Sequence, residues 1–415
     1  MSTFTHNDMA KLLDLQSLII YSITEGKNHY DVKCGRPEKP RCCPTCKSKI
    51  FGKHGKGKLR KMRHGITVAG KGLFVLWQGH RFKCKDCKRT WTKAPPVWLV
   101  DGRQRCTIAC KKQALRTLKG TSFKETERQT GLGYGTLRKS LEENITDTTL
   151  LDIPNSGKLT LGIDEHSRAK RSFATTITLI KPERRLLAIL PVKSNKTLEE
   201  WVLREWTATQ RYRVKEVCVD MAKCWYYIVP KLFPRANVVI DHFHVISYLN
   251  QIIQDEYRVA KNMASAQTKK NLPYKTKGVG VTRKLFQGGI HWNDRDKENI
   301  KTIFIAFPRV AELWYWKEEV RRIYLECADK LEARMRWKIV LEHLDELPKK
   351  TLELHLENIL NYFDNRSTNA FTEGVHTKFK LIKRCSYGIK NKEIYVKKLI
   401  LGFLQQKTLI HNHTY

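Results

Sequence analysis

Three carboxylates and four thiols stand out in this sequence by type and spacing. Asp164 ends the strand-like run Leu159 to Ile163, and Asp220 ends a second run, "VKEVCV". Glu373 lies in "TNAFTEGVHTK", where the apolar spacing predicts a helix from about Asn369 to Lys383. Carboxylates brought together hold hard divalent cations, which take oxygen ligands. Two such ions about 3.5–4 Å apart clamp the attacking and leaving oxygens of an in-line displacement at phosphorus. The expected cofactor is a pair of Mg2+ ions held by Asp164, Asp220 and Glu373, with Mn2+ as a substitute. Glu165 is an alternative to Asp164, but strand alternation turns it the other way. Asp241 is the rival third acid: in "NVVIDHFHV" it ends a further strand, with His244 three residues on. It is either a ligand or a group that positions the site from behind the ligands. His242 and His244 are either ligands or structural hydrogen-bonders.

The thiols are Cys43 and Cys46 in "CPTC" and Cys84 and Cys87 in "CKDC". Two CxxC knuckles complete a tetrahedral structural zinc site. Cys34 and Cys42 are extra candidates, so the exact ligand set stays open. Cys106 and Cys110 fall at helical spacing and read as core, and Cys218 and Cys224 read as packing residues.

These groups need elements to place them. From Lys158 the pattern predicts strands at 159–163, 173–180, 186–192, 215–219 and 237–240, with helices at 197–208, 222–232 and 243–260. Acids at the ends of the first and fourth strands are the layout of an RNase-H-like site, where those two strands are neighbours. The hundred residues that follow read as helical up to about Asn361. Upstream, 31–100 is rich in Gly, Pro and Cys and predicts short strands, among them Ile66-Thr67-Val68 and Leu73 to Trp77. "TSFKETERQTGLGYGTLRKSLEENI" reads as helix, glycine turn, helix, capped by Thr121 or Ser122. That is the length of a helix-turn-helix, whose second helix would aim Tyr134, Thr136, Arg138 and Lys139 at a major groove. A plain helical hairpin is the bland alternative. A short amphipathic stretch, Ala10 to Ile20, predicts one more helix.

Charge names the partner class. The 415 residues carry 78 Lys and Arg against 41 Asp and Glu, a net of +37. Across 31–120 the balance is 25 to 4. With 41% hydrophobic residues the chain is not a disordered basic tail. A folded protein with such a field suits a polyanion, most simply double-stranded DNA. Arg81, Lys83 and Arg89, beside Phe82 and Trp91, suit contact with the DNA backbone. Lys378, Lys383 and Arg384 add basic candidates on the last carboxylate-bearing helix. No apolar run is long enough to span a bilayer and no signal-peptide layout is present, so no membrane is expected and a cytoplasmic location is.

At these residues the chain resembles the bacterial insertion-sequence transposases of the ISL type, which carry a DDE catalytic core. The matching stretches are "CPTC", "RFKCKDCKRTW", "LGIDEHS", "VCVDM", "LFPRANVVIDHFHV" and "NRSTNAFTEGVHTKFKLIKRCSYGIKN". The resemblance implies a multidomain α+β protein: a zinc-ribbon-like β module, a helix-turn-helix, then an RNase-H-like α/β/α domain with a helical insertion. On that plan 1–30 is an N-terminal helical segment, 31–100 the zinc-binding module and 101–150 the helix-turn-helix. The catalytic core then occupies 158–260 and 361–415 around an insertion at 261–360. The resemblance makes Asp164, Asp220 and Glu373 the DDE triad and puts Asp241 and His244 on a DxxH signature. It implies a bacterial, nucleoid-associated DNA transposase. Such an enzyme binds the terminal inverted repeats of its element, cuts the ends and transfers them, working as a dimer or larger assembly on DNA. A nuclease or resolvase without strand transfer, and a non-catalytic DNA-binding regulator, are the alternatives. In some transposases aromatic residues of the insertion stack on a flipped base. Trp314 and Trp316 are candidates here, with helix packing as the other reading.

Overall fold

The computed structural model describes residues 6–36, 39–67, 70–102, 104–170, 172–273, 275–276 and 279–404. Val68, the end of one expected strand, lies outside the described residues. The chain forms two compact units, 1–146 with 379–415, and 147–378.

In the first unit α1 (His6–Leu12) is shorter than the helix expected over Ala10 to Ile20. Asp14 and Ser17 take left-handed φ values of 53° and 72°, which end the helix, and Ile19 already belongs to a strand. The strands are β1 (Ile19–Gly26), β2 (His29–Gly35), β3 (Phe51–Lys56), β4 (Arg60–Ile66), β5 (Gly72–Trp77), β6 (His80–Cys84) and β7 (Thr90–Thr92). They make a four-stranded sheet, β1-β2-β5-β4, and a three-stranded one, β3-β6-β7. Because β2 pairs with β5, the segment before residue 31 is built into the same sheet as the segment after it. Val32, Met62, Val75 and Trp77 form the core of that sheet.

Three helices follow, α2 (Ile108–Gly120), α3 (Phe123–Thr130) and α4 (Tyr134–Asn144). Thr107 and Ser122 cap the first two by accepting from the amides of Cys110 and Glu125. Gly131, at φ 65°, makes the turn that lets α4 begin. The last helix among the described residues, Lys392–Phe403, packs on α2 and α4. Its Lys398 is 1% exposed and donates to the terminal carbonyls of α2 at Leu118 and Thr121.

The second unit holds β8 (Leu159–Ala169), β9 (Ser172–Lys181), β10 (Arg185–Leu190), α5 (Asn195–Glu205), α6 (Ala208–Arg213), β11 (Val214–Val219), α7 (Trp225–Leu232), β12 (Asn237–Ile240) and α8 (His242–Met263). The expected strands all form. The helix expected at 197–208 breaks at Thr207, which starts α6 with a capping box to Gln210. The sheet order is β10-β9-β8-β11-β12, with β9 and β10 antiparallel and β11 parallel to both β8 and β12. The first and fourth of these strands are therefore neighbours, as the acids required. The strands read as continuous apolar runs because both faces are buried, against Trp201, Trp206, Trp225 and Phe233 among others.

Then come α9 (Ala266–Asn271), a two-residue pair β13 (Lys275–Thr276) and β14 (Val279–Gly280), α10 (Val281–Leu285), α11 (Asp294–Ala306), α12 (Pro308–Glu326), α13 (Lys330–Glu342), α14 (Glu346–Leu360) and α15 (Tyr362–Asn365). The helices α10 to α15 share a core with Ile240 and α8, around Ile303, Leu313, Val320, Trp337 and Ile359. α16 (Ala370–Cys385) and α17 (Lys392–Phe403) are the last helices among the described residues. The sequence groups 361–415 as one part of the catalytic core. In the structure the chain up to Lys378 belongs to the second unit, and from Phe379 to the first. The reason is the docking of α17 on α2 and α4.

Candidate active site

Asp164 and Asp220 are placed by one rung of the sheet. Gly162 of β8 pairs with Cys218 of β11 in parallel register, and each acid lies two residues further on. Asp241 follows β12 directly, and its amide donates to Val219 O at 3.1 Å. Three neighbouring strands thus deliver three acids to one sheet edge.

α16 is fastened to the same place. Asn369, fully buried ahead of this helix, donates its side-chain amide to Ile163 O (3.4 Å) and Cys218 O (3.2 Å). One amide therefore ties the two acid-bearing strands to the helix that carries Glu373. Thr372 donates to Asn369 Oδ1 at 3.2 Å and its hydroxyl meets that of Thr178 at 2.7 Å. Gly162 leaves the room: a Cβ there would lie 2.6 Å from the hydroxyls of both Thr178 and Thr372. Just upstream, the buried Glu216 accepts from Ser367 Oγ (2.5 Å) and Asn365 Nδ2 (2.6 Å). Arg366, at φ 54°, sends its guanidinium to the carbonyls of Tyr324 and Ala328 at 3.0 and 3.3 Å. The segment 365–369 is thus knotted to both the sheet and the end of α12.

Each acid has its own support. Asp220 Oδ1 accepts from the Trp225 indole (2.6 Å) and the Ala222 amide (3.1 Å). Asp164 Oδ1 accepts from the Glu165 amide (2.7 Å), and its Oδ2 lies 3.5 Å from His376 Nδ1. Glu165 turns away to Lys193 Nζ at 2.5 Å. Burial pushes the Asp164 carboxyl above its ordinary range and the charge of Asp220 adds to this. Burial likewise raises Glu373, with the charges of Asp241 and Asp164 adding to it and His244 opposing. These acids feel one another. Glu373 Oε1 and His244 Nε2 are buried with no hydrogen-bond partner. Asp241, 1% exposed, has its Oδ1 3.1 Å from His242 Nδ1.

The thiols gather more tightly. Cys43, Cys46, Cys84 and Cys87 are the one group among the described residues whose ligand atoms all lie within 4.8 Å of one another. Their sulfurs approach at 3.7 Å (Cys43–Cys87) and 3.6 Å (Cys46–Cys84). The backbone amide of Cys46 draws the Cys43 thiol down to about 6. Against the pull of the Ser48 amide, burial and the neighbouring sulfurs push Cys46 up to about 12. Cys34 lies outside this group, buried in the four-stranded sheet, where burial pushes its thiol up to about 12. Cys42 lies outside it as well.

The expected DNA-contact residues are mostly at the surface. Arg81 and Lys83 alternate outward from β6 while Phe82 and Cys84 point in. Arg89, Tyr134, Arg138, Lys139, Lys378 and Arg384 are exposed, and Thr136 and Lys383 are half-buried. Trp314 stacks on Trp292 and Trp316 on His343, with ring centroids 4.5 and 4.2 Å apart. Both are engaged in packing on neighbouring rings.

A transposase family model of the ISL3 type matches residues 161–399. The chain belongs to the ISL3-type transposases. The ISL3-type match takes in Asp164, Asp220, Asp241 and Glu373 and leaves the four cysteines outside it. The transposase for insertion sequence element IS1001 of Bordetella parapertussis is 21% identical over 316 residues, 74% of this chain and 76% of that relative. A chain of the Drosophila P element transposase strand transfer complex superposes with a TM-score of 0.38 and 13% identity, covering 75% of this transposase and 96% of that chain. So distant a likeness says nothing of the site. No helix among the described residues is long and apolar enough to cross a membrane.

Sequence reading missed Asn369, Trp225, Glu216 and His376. Asn369 and His376 flank Glu373 by four and three residues, one helical turn each way, and that spacing was the available signal.

Proposed function

We propose that this chain is a DNA transposase whose second unit is an RNase-H-like catalytic core with Asp164, Asp220 and Glu373 as its acids. The observation that supports this most is the shared rung: two acids two residues past Gly162 and Cys218, with the Glu373 helix tied by Asn369 to both strands. The strand order, with antiparallel β9 and parallel β11 beside β8, suits the same reading.

The donor set fits hard cations. Carboxylate oxygens predominate, and Glu373 Oε1 is buried without a hydrogen bond, as a ligand in waiting would be. Two divalent ions, when bound, supply an activated attacking oxygen and shield the charge on the leaving one. The residues do the rest. Trp225 and the Ala222 amide hold one oxygen of Asp220, leaving the other to face the site. Burial and mutual repulsion hold Asp164 and Glu373 ready for a positive partner. The same acids serve two displacements, first of the transposon-end phosphodiester by water and then of target DNA by the freed 3′-hydroxyl.

The first unit is read as the DNA-end binder. A zinc tetrahedron with bonds of about 2.3 Å has sulfur–sulfur edges of about 3.8 Å, close to the 3.7 and 3.6 Å of the thiol cluster. That favours Cys43, Cys46, Cys84 and Cys87 as a structural zinc site. α3 and α4 are read as a helix-turn-helix presenting Tyr134, Thr136, Arg138 and Lys139. Two ends must be joined, so a dimer or larger assembly on DNA is expected.

The test is cleavage and joining of labelled DNA carrying the inverted repeats that flank the gene, with Mg2+ or Mn2+. Wild type should cut and join, while Asp164→Asn, Asp220→Asn and Glu373→Gln bind the DNA and do neither. Binding without cutting by wild type sinks the enzyme reading in favour of a regulator. Cutting by Glu373→Gln but not by Asp241→Asn would make Asp241 the third acid.

A further inference from the structure

α16 carries a second polar side chain on the face of Glu373, one turn further on. His376 is 8% exposed and bridges two groups. Its Nδ1 lies 3.5 Å from Asp164 Oδ2, and its Nε2 lies 3.0 Å from Thr176 Oγ1. Thr176, fully buried, is the cross-strand partner of Asp164 in the β8–β9 pair. The imidazole therefore spans a closed figure: Asp164 on β8, its partner on β9, and the helix that presents Glu373.

We infer that His376 is a positioning residue: its Nδ1–H, set by the Thr176 hydroxyl, fixes the Asp164 carboxylate in the orientation that lets it share cations with Glu373. The inference rests on the triad reading above. The ring's hydrogen placement follows from its neighbours. With the proton on Nδ1, that N–H points at a carboxylate, and Nε2 accepts from the Thr176 hydroxyl, so both contacts are attractive. With the proton only on Nε2, a lone pair would face the carboxylate at 3.5 Å. A doubly protonated ring also aims Nδ1–H at Asp164, so the role does not depend on the ring's charge. Asp164 needs this help because its Oδ1 is already turned to the Glu165 amide. The remaining oxygen, Oδ2, is the one that faces His376 Nδ1 at 3.5 Å. Groups that orient a metal ligand from behind typically change metal affinity about 10–100-fold when lost.

The decisive comparison is between two amides. In His376→Asn the side-chain N–H2 falls where Nδ1 was and can still reach Asp164. In His376→Gln it falls where Nε2 was and reaches Thr176 instead. Mn2+ binding to the full chain is measured by the loss of the free-ion EPR signal, beside the Mg2+ concentration for half-maximal cleavage of transposon-end DNA. Melting temperature controls for folding. The expected result is a rise of about tenfold or more in both constants for His376→Gln. His376→Asn should stay near wild type, and Thr176→Val, which frees the ring, should fall between. Equal behaviour of the Asn and Gln variants overturns the inference while Asp164→Asn still loses Mn2+. Wild-type Mn2+ binding by Asp164→Asn overturns the triad reading, and this inference with it.

Discussion

The indole N–H of Trp225 lies 2.6 Å from Asp220 Oδ1 and donates to it. It comes from the first residue of α7 and crosses back over the turn that follows β11. Trp225→Phe keeps most of the buried ring and removes that donor. Hydrogen bonds to charged groups are worth about 1.5–3 kcal/mol. End cleavage should fall by about 10–100-fold, well beyond what the modest drop in melting temperature from the smaller buried ring and the lost hydrogen bond explains. A variant that cuts at the wild-type rate would show that Ala222 alone positions Asp220.

Gly162→Ala should be costly at a position that looks harmless in the sequence. The new methyl would lie 2.6 Å from two hydroxyls and closer still to Asn369 Oδ1, all in a buried, hydrogen-bonded cluster. Overpacking a filled site costs about 1–3 kcal/mol, and parting Asn369 from its carbonyls adds to that. Urea unfolding should show a loss of about 2–4 kcal/mol, with cleavage falling in parallel. No loss of stability would mean that α16 sits further from β8 than described.

The thiol cluster yields a metal count. One zinc per chain should be found by elemental analysis, and Cys84→Ser should lose it. Without the ion the three-stranded sheet β3-β6-β7 keeps its ladder pairing and, as its aromatic packing, the Phe51, Phe82 and Trp91 ring contacts at 5.5–5.8 Å between centroids. Hydrogen exchange at Phe51–Lys56 and His80–Cys84 should therefore speed up, while amides of β8 and β11 stay protected. A zinc-free protein with slow exchange in that sheet would contradict this.

Lys398 supplies a pH signature. Burial pulls its ammonium down to about 8, against about 10.4 in an unfolded chain. Between those values the unfolded state holds more protons, so folding stability contributed by this group rises as pH climbs through the window. Below about 8 the buried charge is fully present and the gain is absent. Lys398→Met should lack the rise. Melting curves of both proteins from pH 7.5 to 10 decide it: parallel curves would rule the effect out.

Much of the second unit was legible as sequence. β8 to β12 announce themselves as short apolar runs separated by turns, and the acids follow the runs directly. The thiol cluster was equally plain, since CxxC spacing is a local geometric requirement. The N-terminal helix was misread beyond Leu12 because Leu15, Leu18 and Ile20 are apolar at helical spacing, yet they serve a sheet core. Only the left-handed turns at Asp14 and Ser17 reveal that.

The sequence by itself determined the local terms: which segments become strands, which acids end them, and which thiols can share one ion. It also determined the field, a net charge of +37 that calls for a polyanion. Tertiary structure alone decided which strands are neighbours in register, so that Asp164 and Asp220 leave the same rung. It alone decided that Asn369, Trp225 and His376 support the acids, and that Cys34 lies in a sheet rather than in the thiol cluster. The physical reason is range. Periodicity and spacing act over a few residues, whereas Asn369 meets Ile163 across 206 positions of chain. Such a contact is set by packing and by the need to satisfy buried polar groups, and no local pattern encodes it.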